Sequence, residues 1–279
     1  MKFLDALIPD SLKFLAKEGW YITHYYGTNL FRRHEMFSQV EVETNTSCNR
    51  SCQICPNSTQ FRRTPMIMDP QLFELLLDQL AEMGFKGIFS PVGYGEPLLD
   101  ERLPSLMSTA HQKLPLAQIY VYTNGSLLTT HNIRELVDVG VTGIIVSQYE
   151  DNLELDGKVI EILNRLPPKY RGRVRYRVLR DDSPLFNRGG LVKIQNPVRK
   201  RFCYKSSADV TIDCNGNVLL CANDYLGETN YGNIGQTHLR DIWADSTFTE
   251  VRRGLRRGSF TSAPDPCQYC TGLKHRIDN

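Results

Sequence analysis

Net charge and long apolar runs are what this sequence has least of. The formal charge is only +2, from 33 Lys and Arg against 31 Asp and Glu, so nothing electrostatic calls for nucleic acid or an anionic membrane as a partner. No apolar stretch approaches the roughly 20 residues that span a bilayer, and the N-terminus lacks the apolar core of a signal peptide. The expectation is a cytoplasmic protein without a membrane partner. An excess of charge is missing too: a 23% charged share is ordinary for a globular chain and argues against disorder. With 41% hydrophobic residues over 279 positions, the chain can bury a sizeable core as one large domain, or as a large one plus a small one. Arg252, Arg253, Arg256 and Arg257 lie at helical spacing and read as a solvated helix face. Eight cysteines in a reducing compartment read as metal ligands or catalytic thiols more readily than as disulfides.

Residues 1–36 read as an N-terminal extension, a short amphipathic helix followed by an aromatic-rich segment (Trp20, Tyr21, Tyr25, Tyr26) packed on the main domain. From Phe37 a strand–helix rhythm begins. Val40, Val42 and Thr44 alternate with Glu41 and Glu43 in a first strand. Asp69-Pro70 supplies an N-cap and first-turn proline for a helix carrying Leu72, Phe73, Leu76, Leu80 and Met83. Further strands are expected at 87–92, 118–123, 143–147 and 174–179, with helices near 101–113, 131–139 and 155–166. Strands alternating with helices imply parallel βαβ units, and five or six of them predict a partial (β/α)6 TIM-like barrel over 37–200. An open doubly wound sheet has the same local pattern. The alternation of Glu41 and Glu43 with valines, and of Arg173, Arg175 and Arg177 with Val174, Tyr176 and Val178, fits rows aimed into a polar lumen or a solvated edge strand. The rhythm stops near residue 200. Residues 201–279 then read as a small β-hairpin-plus-helix domain, with Asn215-Gly216 as the hairpin turn between β runs at 209–221 and a helix at 238–256.

Cys48-Asn-Arg-Ser-Cys52-Gln-Ile-Cys55 places three thiols directly after the first strand. Thiolates are soft donors suited to zinc or to iron–sulfur iron. A structural zinc usually takes four ligands, whereas three cysteines on one loop leave a coordination position open. An open iron in a [4Fe–4S] cluster can bind a ligand that is itself the reactant. Zinc with a borrowed fourth ligand, in a binding or structural protein without radical chemistry, is the competing reading of this spacing.

The C-x3-C-x2-C pattern resembles the signature of the radical S-adenosylmethionine (SAM) superfamily. The resemblance implies that Cys48, Cys52 and Cys55 hold three irons while SAM chelates the fourth through its amino and carboxylate groups. Reductive cleavage of SAM then gives a 5′-deoxyadenosyl radical that removes hydrogen from substrate. Ile54 matches the bulky residue usual before the third cysteine. Tyr94-Gly95-Glu96-Pro97, after the second strand, is similar to the family's Gly-Gly-Glu-Pro motif, which receives the SAM amino group; Tyr94 replaces its first glycine. Asn124, within Thr123-Asn124-Gly125, and the pair Ser147-Gln148 end the third and fourth strands, where the family makes SAM ribose and carboxylate contacts.

Cys203-x12-Gly216-x4-Cys221 and then Cys267-x2-Cys270 resemble the auxiliary-cluster domain called SPASM, in its short "twitch" form. Four cysteines fully ligate one auxiliary [4Fe–4S] cluster, which favours electron transfer over substrate coordination; a four-cysteine zinc site has the same spacing. Longer stretches, among them Val-Glu-Val-Glu-Thr-Asn (40–45), Tyr-Gly-Glu-Pro-Leu-Leu (94–99), Asn-Arg-Gly-Gly (187–190) and Gly-Asn-Ile-Gly (232–235), are similar to radical SAM dehydrogenases of antibiotic biosynthesis that oxidise an aminocyclitol alcohol to a ketone. That resemblance implies a small polar substrate (aminocyclitol, sugar or aminoglycoside), an electron passed to the auxiliary cluster, and a flavodoxin- or ferredoxin-type reductant.

Arg188 is expected to orient the substrate hydroxyl and stabilise its developing negative charge, because guanidinium is a permanent cation with several donors. A salt bridge or a structural turn is its plainer role. Glu41, Glu43, Asn223 and Asp224 are the other substrate-binding candidates; the dehydrogenases of this resemblance carry an acidic residue where Asn223 stands. Epimerisation is the alternative outcome, with a thiol returning hydrogen to the opposite face. Cys214, the one cysteine outside both sets, is its candidate donor, although peptide epimerases place the donor directly after a cluster cysteine, where this chain has Ala222. The chain also lacks room for a separate precursor-peptide recognition domain, which favours a small metabolite over a peptide.

Overall fold

The structure is a computed structural model that describes residues 10–32, 34–58, 63–148, 153–178, 187–193, 201–260 and 262–270. It opens with α1 (Asp10–Asn29), and strand and helix then alternate: β1 (Gln39–Val42), α2 (Pro70–Glu82), β2 (Ile88–Pro91), α3 (Leu103–Lys113), β3 (Gln118–Thr123), α4 (Thr130–Asp138), β4 (Gly143–Gln148), α5 (Leu153–Arg165), the short α6 (Pro168–Arg171) and β5 (Val174–Val178). After α7 (Lys205–Ala208) come β6 (Asp209–Ile212), β7 (Asn217–Leu219), β8 (Asn230–Asn233), α8 (Leu239–Ala244), α9 (Ser246–Arg256) and α10 (Asp265–Cys270).

Local chemistry sets the helix starts. Asp69 accepts from the backbone N–H of Gln71 at 2.7 Å with Pro70 in the first turn, and α2 buries Phe73, Leu76, Leu77 and Leu80 against the sheet. Thr129 and Asn132 form a reciprocal capping box at the start of α4. Crossover helices make the sheet parallel, in the order β5-β4-β3-β2-β1-β6, and it stays open. This is the expected α/β architecture. β6 pairs with β1 in parallel register, Glu41 opposite Thr211, and then turns back on β7 through the Asn215-Gly216 turn, where Gly216 has φ +83°. One eight-stranded sheet therefore runs through both regions.

Some expectations change in detail. The aromatic residues expected to follow a short N-terminal helix lie on it, since α1 is 20 residues long and includes Trp20, Tyr21, Tyr25 and Tyr26. The helix expected over 238–256 is broken at Asp245, whose extended backbone ends α8 while its side chain caps α9 by accepting from the Phe248 N–H at 3.0 Å. The arginine row is not one solvated face. Arg253 and Arg257 are exposed, but Arg252 is 1% exposed, its guanidinium 3.7 Å from the centroid of the Trp243 ring and 4.4 Å from that of Phe248. A flat, weakly hydrated guanidinium stacks on aromatic faces more readily than an ammonium does. Arg256 pairs with Glu35 at 2.7 Å, and Glu35 also accepts from Tyr25 Oη at 2.8 Å. Among the described residues, no helix is long and apolar enough to cross a membrane.

Glu35 thus ties α1 to α9. Glu35→Ala leaves Arg256 and the Tyr25 hydroxyl without this partner and is expected to lower stability by about 1–3 kcal/mol, read as a lower denaturant midpoint with unchanged slope in anaerobic unfolding.

Candidate active site

A cavity of about 430 Å³ opens beyond the carboxyl ends of β1 to β4, where parallel α/β sheets place their chemistry. Cys48, Cys52 and Cys55, on the loop after β1, all reach its wall. That loop is pinned from within. The Cys55 N–H donates to the Cys52 carbonyl at 3.1 Å, and Asn57, 2% exposed, donates to the Thr46 carbonyl while accepting from Tyr225 Oη. Burial pushes the Cys55 thiol above its ordinary value, so as a thiolate it depends on a positive partner such as a metal.

The segment after β2 is shaped by the lack of side chains. A Cβ on Gly93 would come within 2.4 Å of Glu43 Oε1, and one on Gly95 within 2.2 Å of the Asn45 carbonyl oxygen. The Glu96 N–H donates to the Ser47 carbonyl at 2.7 Å, and its carboxylate accepts from Thr123 Oγ1, the Asn124 N–H and the Leu98 N–H at 2.6, 2.8 and 3.1 Å. Burial raises the Glu96 pKa, while these donors favour the charged form. Asn124 in turn donates to Cys48 Sγ at 3.9 Å and to Asn49 Oδ1 at 3.0 Å. Carboxylate, asparagine and three-cysteine loop therefore form one connected wall.

Tyr94, Gly95, Glu96, Asn124, Ser147, Glu41, Arg188 and Asn223 all line the cavity. The structure does not bring the other candidates there. Pro97 starts a short 3-10 turn behind Glu96. Gln148 is fully buried and accepts from Tyr176 Oη at 3.0 Å. Glu43 accepts from the Tyr94 N–H at 2.8 Å and from Arg63 at 2.6 Å, so its carboxylate positions the Gly93–Glu96 segment instead of facing a substrate. Asp224 accepts from Glu228 and Thr229 within its own turn. Cys214 is buried and donates to the Glu43 carbonyl at 3.0 Å, and burial raises its pKa.

Tertiary contact adds residues with no motif of their own. Lys205 is 6% exposed; its ammonium lies 3.1 Å from both Glu41 oxygens and 2.6 Å from Asp209. Burial opposes its charge, but Asp209 and Glu41 hold it protonated, with a pKa well above the ordinary value. Arg177, from the arginine row that the sequence allowed to face a polar lumen, does line the cavity and donates to Ser147 Oγ at 3.1 Å, while Arg63, which has no motif, lies 4.5 Å from the centroid of the Tyr225 ring. Lys205 stands two places after Cys203, but a lysine there carries no spacing signal, because its carboxylate partner Glu41 is distant in the chain.

A second, small void of about 20 Å³ is ringed by Cys203, Cys221, Cys267 and Cys270. Burial pushes Cys221 up to about 12, with Cys270 and Cys203 adding to the rise. Four thiols around one void, with the Asn223 N–H donating to Cys221 Sγ and its amide to Cys270 Sγ, fit a fully ligated cluster. Among the described residues, no three His, Cys, Asp or Glu side chains converge on a point that would hold a single ion.

The comparisons with known proteins agree. Residues 42–175 match the radical SAM superfamily and residues 203–271 match SPASM, an iron–sulfur cluster-binding domain. A curated relative from Niallia circulans, S-adenosyl-L-methionine-dependent 2-deoxy-scyllo-inosamine dehydrogenase, is 33% identical over 241 residues, 86% of this chain and 94% of the relative. The crystal structure of BtrN in complex with AdoMet and 2-DOIA is also 33% identical, with a TM-score of 0.78 over 88% of this chain and 97% of that one. Native anSMEcpe with bound AdoMet, at 12% identity, shares the fold alone, with a TM-score of 0.53 over 76% of this chain and 82% of that one.

Since a side chain at Gly95 would strike backbone, Gly95→Ala is expected to displace Glu96 and weaken SAM binding about tenfold or more, measured by anaerobic equilibrium dialysis on reconstituted protein. Identity across most of both chains, a shared fold and two separate sets of clustered thiols lead to one conclusion: the chain belongs to the radical SAM superfamily, with SAM and iron–sulfur clusters as its cofactors and a C-terminal SPASM domain.

Proposed function

We propose that this protein oxidises a carbinol carbon of a small hydroxylated ring, an aminocyclitol, sugar or aminoglycoside, to a ketone. The observation that carries the reading is the adjacency of the two cysteine sites. The cavity beside Cys48, Cys52 and Cys55 and the void ringed by Cys203, Cys221, Cys267 and Cys270 share Lys205 and Asn223 in their walls. A substrate in the cavity would lie between a site that starts the reaction and a site that receives an electron. When bound, the SAM-ligated cluster supplies the hydrogen-abstracting radical and the auxiliary cluster accepts the electron left as alcohol becomes ketone. The activity named for the Niallia circulans relative supports the reaction class.

The chain's own part is to hold the carbinol and stabilise its oxygen while the hydroxyl proton passes to solvent. Arg188 sits on a tight turn at φ +52°, with its guanidinium 5.7 Å from the centroid of the Tyr94 ring. The turn is docked on the C-terminal cysteine segment: Asn187 donates to the Tyr269 carbonyl at 2.8 Å, and a Cβ on Gly189 would come within 2.9 Å of the Asn223 carbonyl oxygen. A cation fixed in this way orients the hydroxyl and stabilises the oxygen as its proton leaves. Ile54 and Val92 add apolar wall that helps exclude water. The position of Cys214, outside the cavity lining and bonded to the Glu43 carbonyl, disfavours epimerisation through that thiol. A flavodoxin- or ferredoxin-type protein is the proposed reductant and the reducing cytoplasm the proposed location.

The reading is tested with anaerobically reconstituted protein, SAM, dithionite and a panel of aminocyclitols and sugars in deuterated water. The expected result is 5′-deoxyadenosine together with a product two mass units lighter than its substrate. A product that gains one solvent deuterium at carbon with inverted configuration overturns it in favour of the epimerase. Cys214→Ala should keep turnover, whereas Arg188→Ala should lower kcat by about 10²–10³-fold.

A further inference from the structure

α1 lies outside both matched domain regions, which begin at residue 42 and residue 203, yet it reaches the cavity. Trp20 and Tyr21 are part of the lining. They are coupled aromatic groups, with ring centroids 5.0 Å apart at 88°, and Trp20 stacks on His24 at 3.8 Å. The Tyr21 ring centroid is 5.3 Å from the Lys205 ammonium, so the aromatic pair and the Glu41–Lys205 ion pair meet at one corner of the same cavity. The helix is anchored for this purpose on both sides of the pair. Glu18, 1% exposed, accepts from the Tyr204 N–H at 3.1 Å. Tyr25 and Tyr26 pack on the Tyr204 ring at 5.5 and 5.9 Å, and Glu35 holds Arg256. Anchors on either side of two cavity-facing aromatics leave those rings little freedom to withdraw.

We infer that α1 supplies the specificity wall of the substrate site: Tyr21 and Trp20 receive the C–H face of a polyhydroxylated ring, and the Glu41–Lys205 pair receives its neighbouring hydroxyls. The chemistry of the corner fits this class of ligand. Aromatic faces bury the apolar side of a saturated ring. A carboxylate and an ammonium side by side offer an acceptor and donors at the spacing of vicinal oxygens. Glu41 and Asp209 share the one Lys205 ammonium, so the corner has more acceptors than donors and suits the hydroxyls and amino group of such a ring. The inference rests on the dehydrogenase reading for the kind of substrate, but not on the fate of the abstracted hydrogen.

The test uses the full chain with both clusters and SAM bound. Anaerobic titration calorimetry measures 2-deoxy-scyllo-inosamine and scyllo-inositol against wild type, Tyr21→Ala, Trp20→Ala and the conservative Tyr21→Phe. The expected result is about tenfold weaker polyol binding in each alanine variant, near-wild-type binding in Tyr21→Phe, and SAM affinity within about twofold of wild type throughout. The same loss should appear in KM and not in kcat for whichever polyol is turned over. Wild-type polyol binding that the alanine variants retain overturns the wall alone. SAM affinity falling in parallel with polyol affinity also overturns it, because α1 would then be scaffold for the cofactor site. A wild type that binds neither polyol overturns the substrate class of the dehydrogenase reading, and the wall's role with it.

Discussion

Where β6 lies against β1, Gln39 to Val42 run opposite Asp209 to Ile212 in parallel register, and Lys205 binds a carboxylate from each strand, Glu41 on one and Asp209 on the other. This contact joins the C-terminal cysteine region to the βα repeats as an extension of the same sheet. It fixes where Cys221 and Asn223 stand relative to the three-cysteine loop, since both follow the hairpin that β6 begins. Buried ion pairs return little stability against the cost of desolvation unless their remaining hydrogen bonds are also met. Here Glu41 has those further partners, with Gln39 and Thr211 donating to it at 3.1 and 3.2 Å. The network is a positional lock between two cofactor-bearing regions.

A second set of constraints keeps the cofactor wall rigid. Glu43 holds the Tyr94 N–H and Arg63, Gly93 lies against the Glu43 carboxylate, and the Gly95 backbone lies against Asn45. Tyr94 then reaches across to donate to the Ala222 carbonyl at 2.6 Å, next to Cys221. The segment that resembles the SAM amino-group motif is therefore coupled to the auxiliary cysteine region through one phenol. Tyrosine in place of the motif's first glycine has a structural reason: it spans that gap. A small change on either side is expected to be felt on the other, because preorganised sites tolerate little displacement.

Much of this was legible beforehand because it is local. Cysteine spacing, the Asp69-Pro70 start of α2, the Asn215-Gly216 turn and the strand–helix alternation each depend on residues within one or two turns of chain. The Glu-Val alternation in β1 was legible too, but only half of its implication held: Glu41 reaches the cavity while Glu43 is taken up by Arg63 and a backbone amide. Alternation specifies which face a side chain leaves from, and not what it meets there. The arginine row misled for the same reason. Helical spacing put Arg252 on one face with Arg256, but it could not reveal that Trp243 and Phe248 would enclose its guanidinium.

By itself, then, the sequence determined the class of chemistry through resemblance: thiol softness and spacing left zinc open for both cysteine sets, and the further motifs similar to those of radical SAM enzymes selected the iron–sulfur reading. It also determined the parallel α/β architecture through periodicity. Tertiary structure alone decided the shape of the cavity. Lys205 meets Glu41 across 164 residues of chain, and α1 brings Trp20 and Tyr21 to a cavity built by strands that follow it. Tertiary structure also removed Glu43, Asp224, Gln148 and Cys214 from that cavity by giving each a closer hydrogen-bond partner. The physical reason is common to both outcomes. Spacing along the chain encodes which groups share a loop or a face, whereas a site's charge balance depends on which distant groups burial forces together.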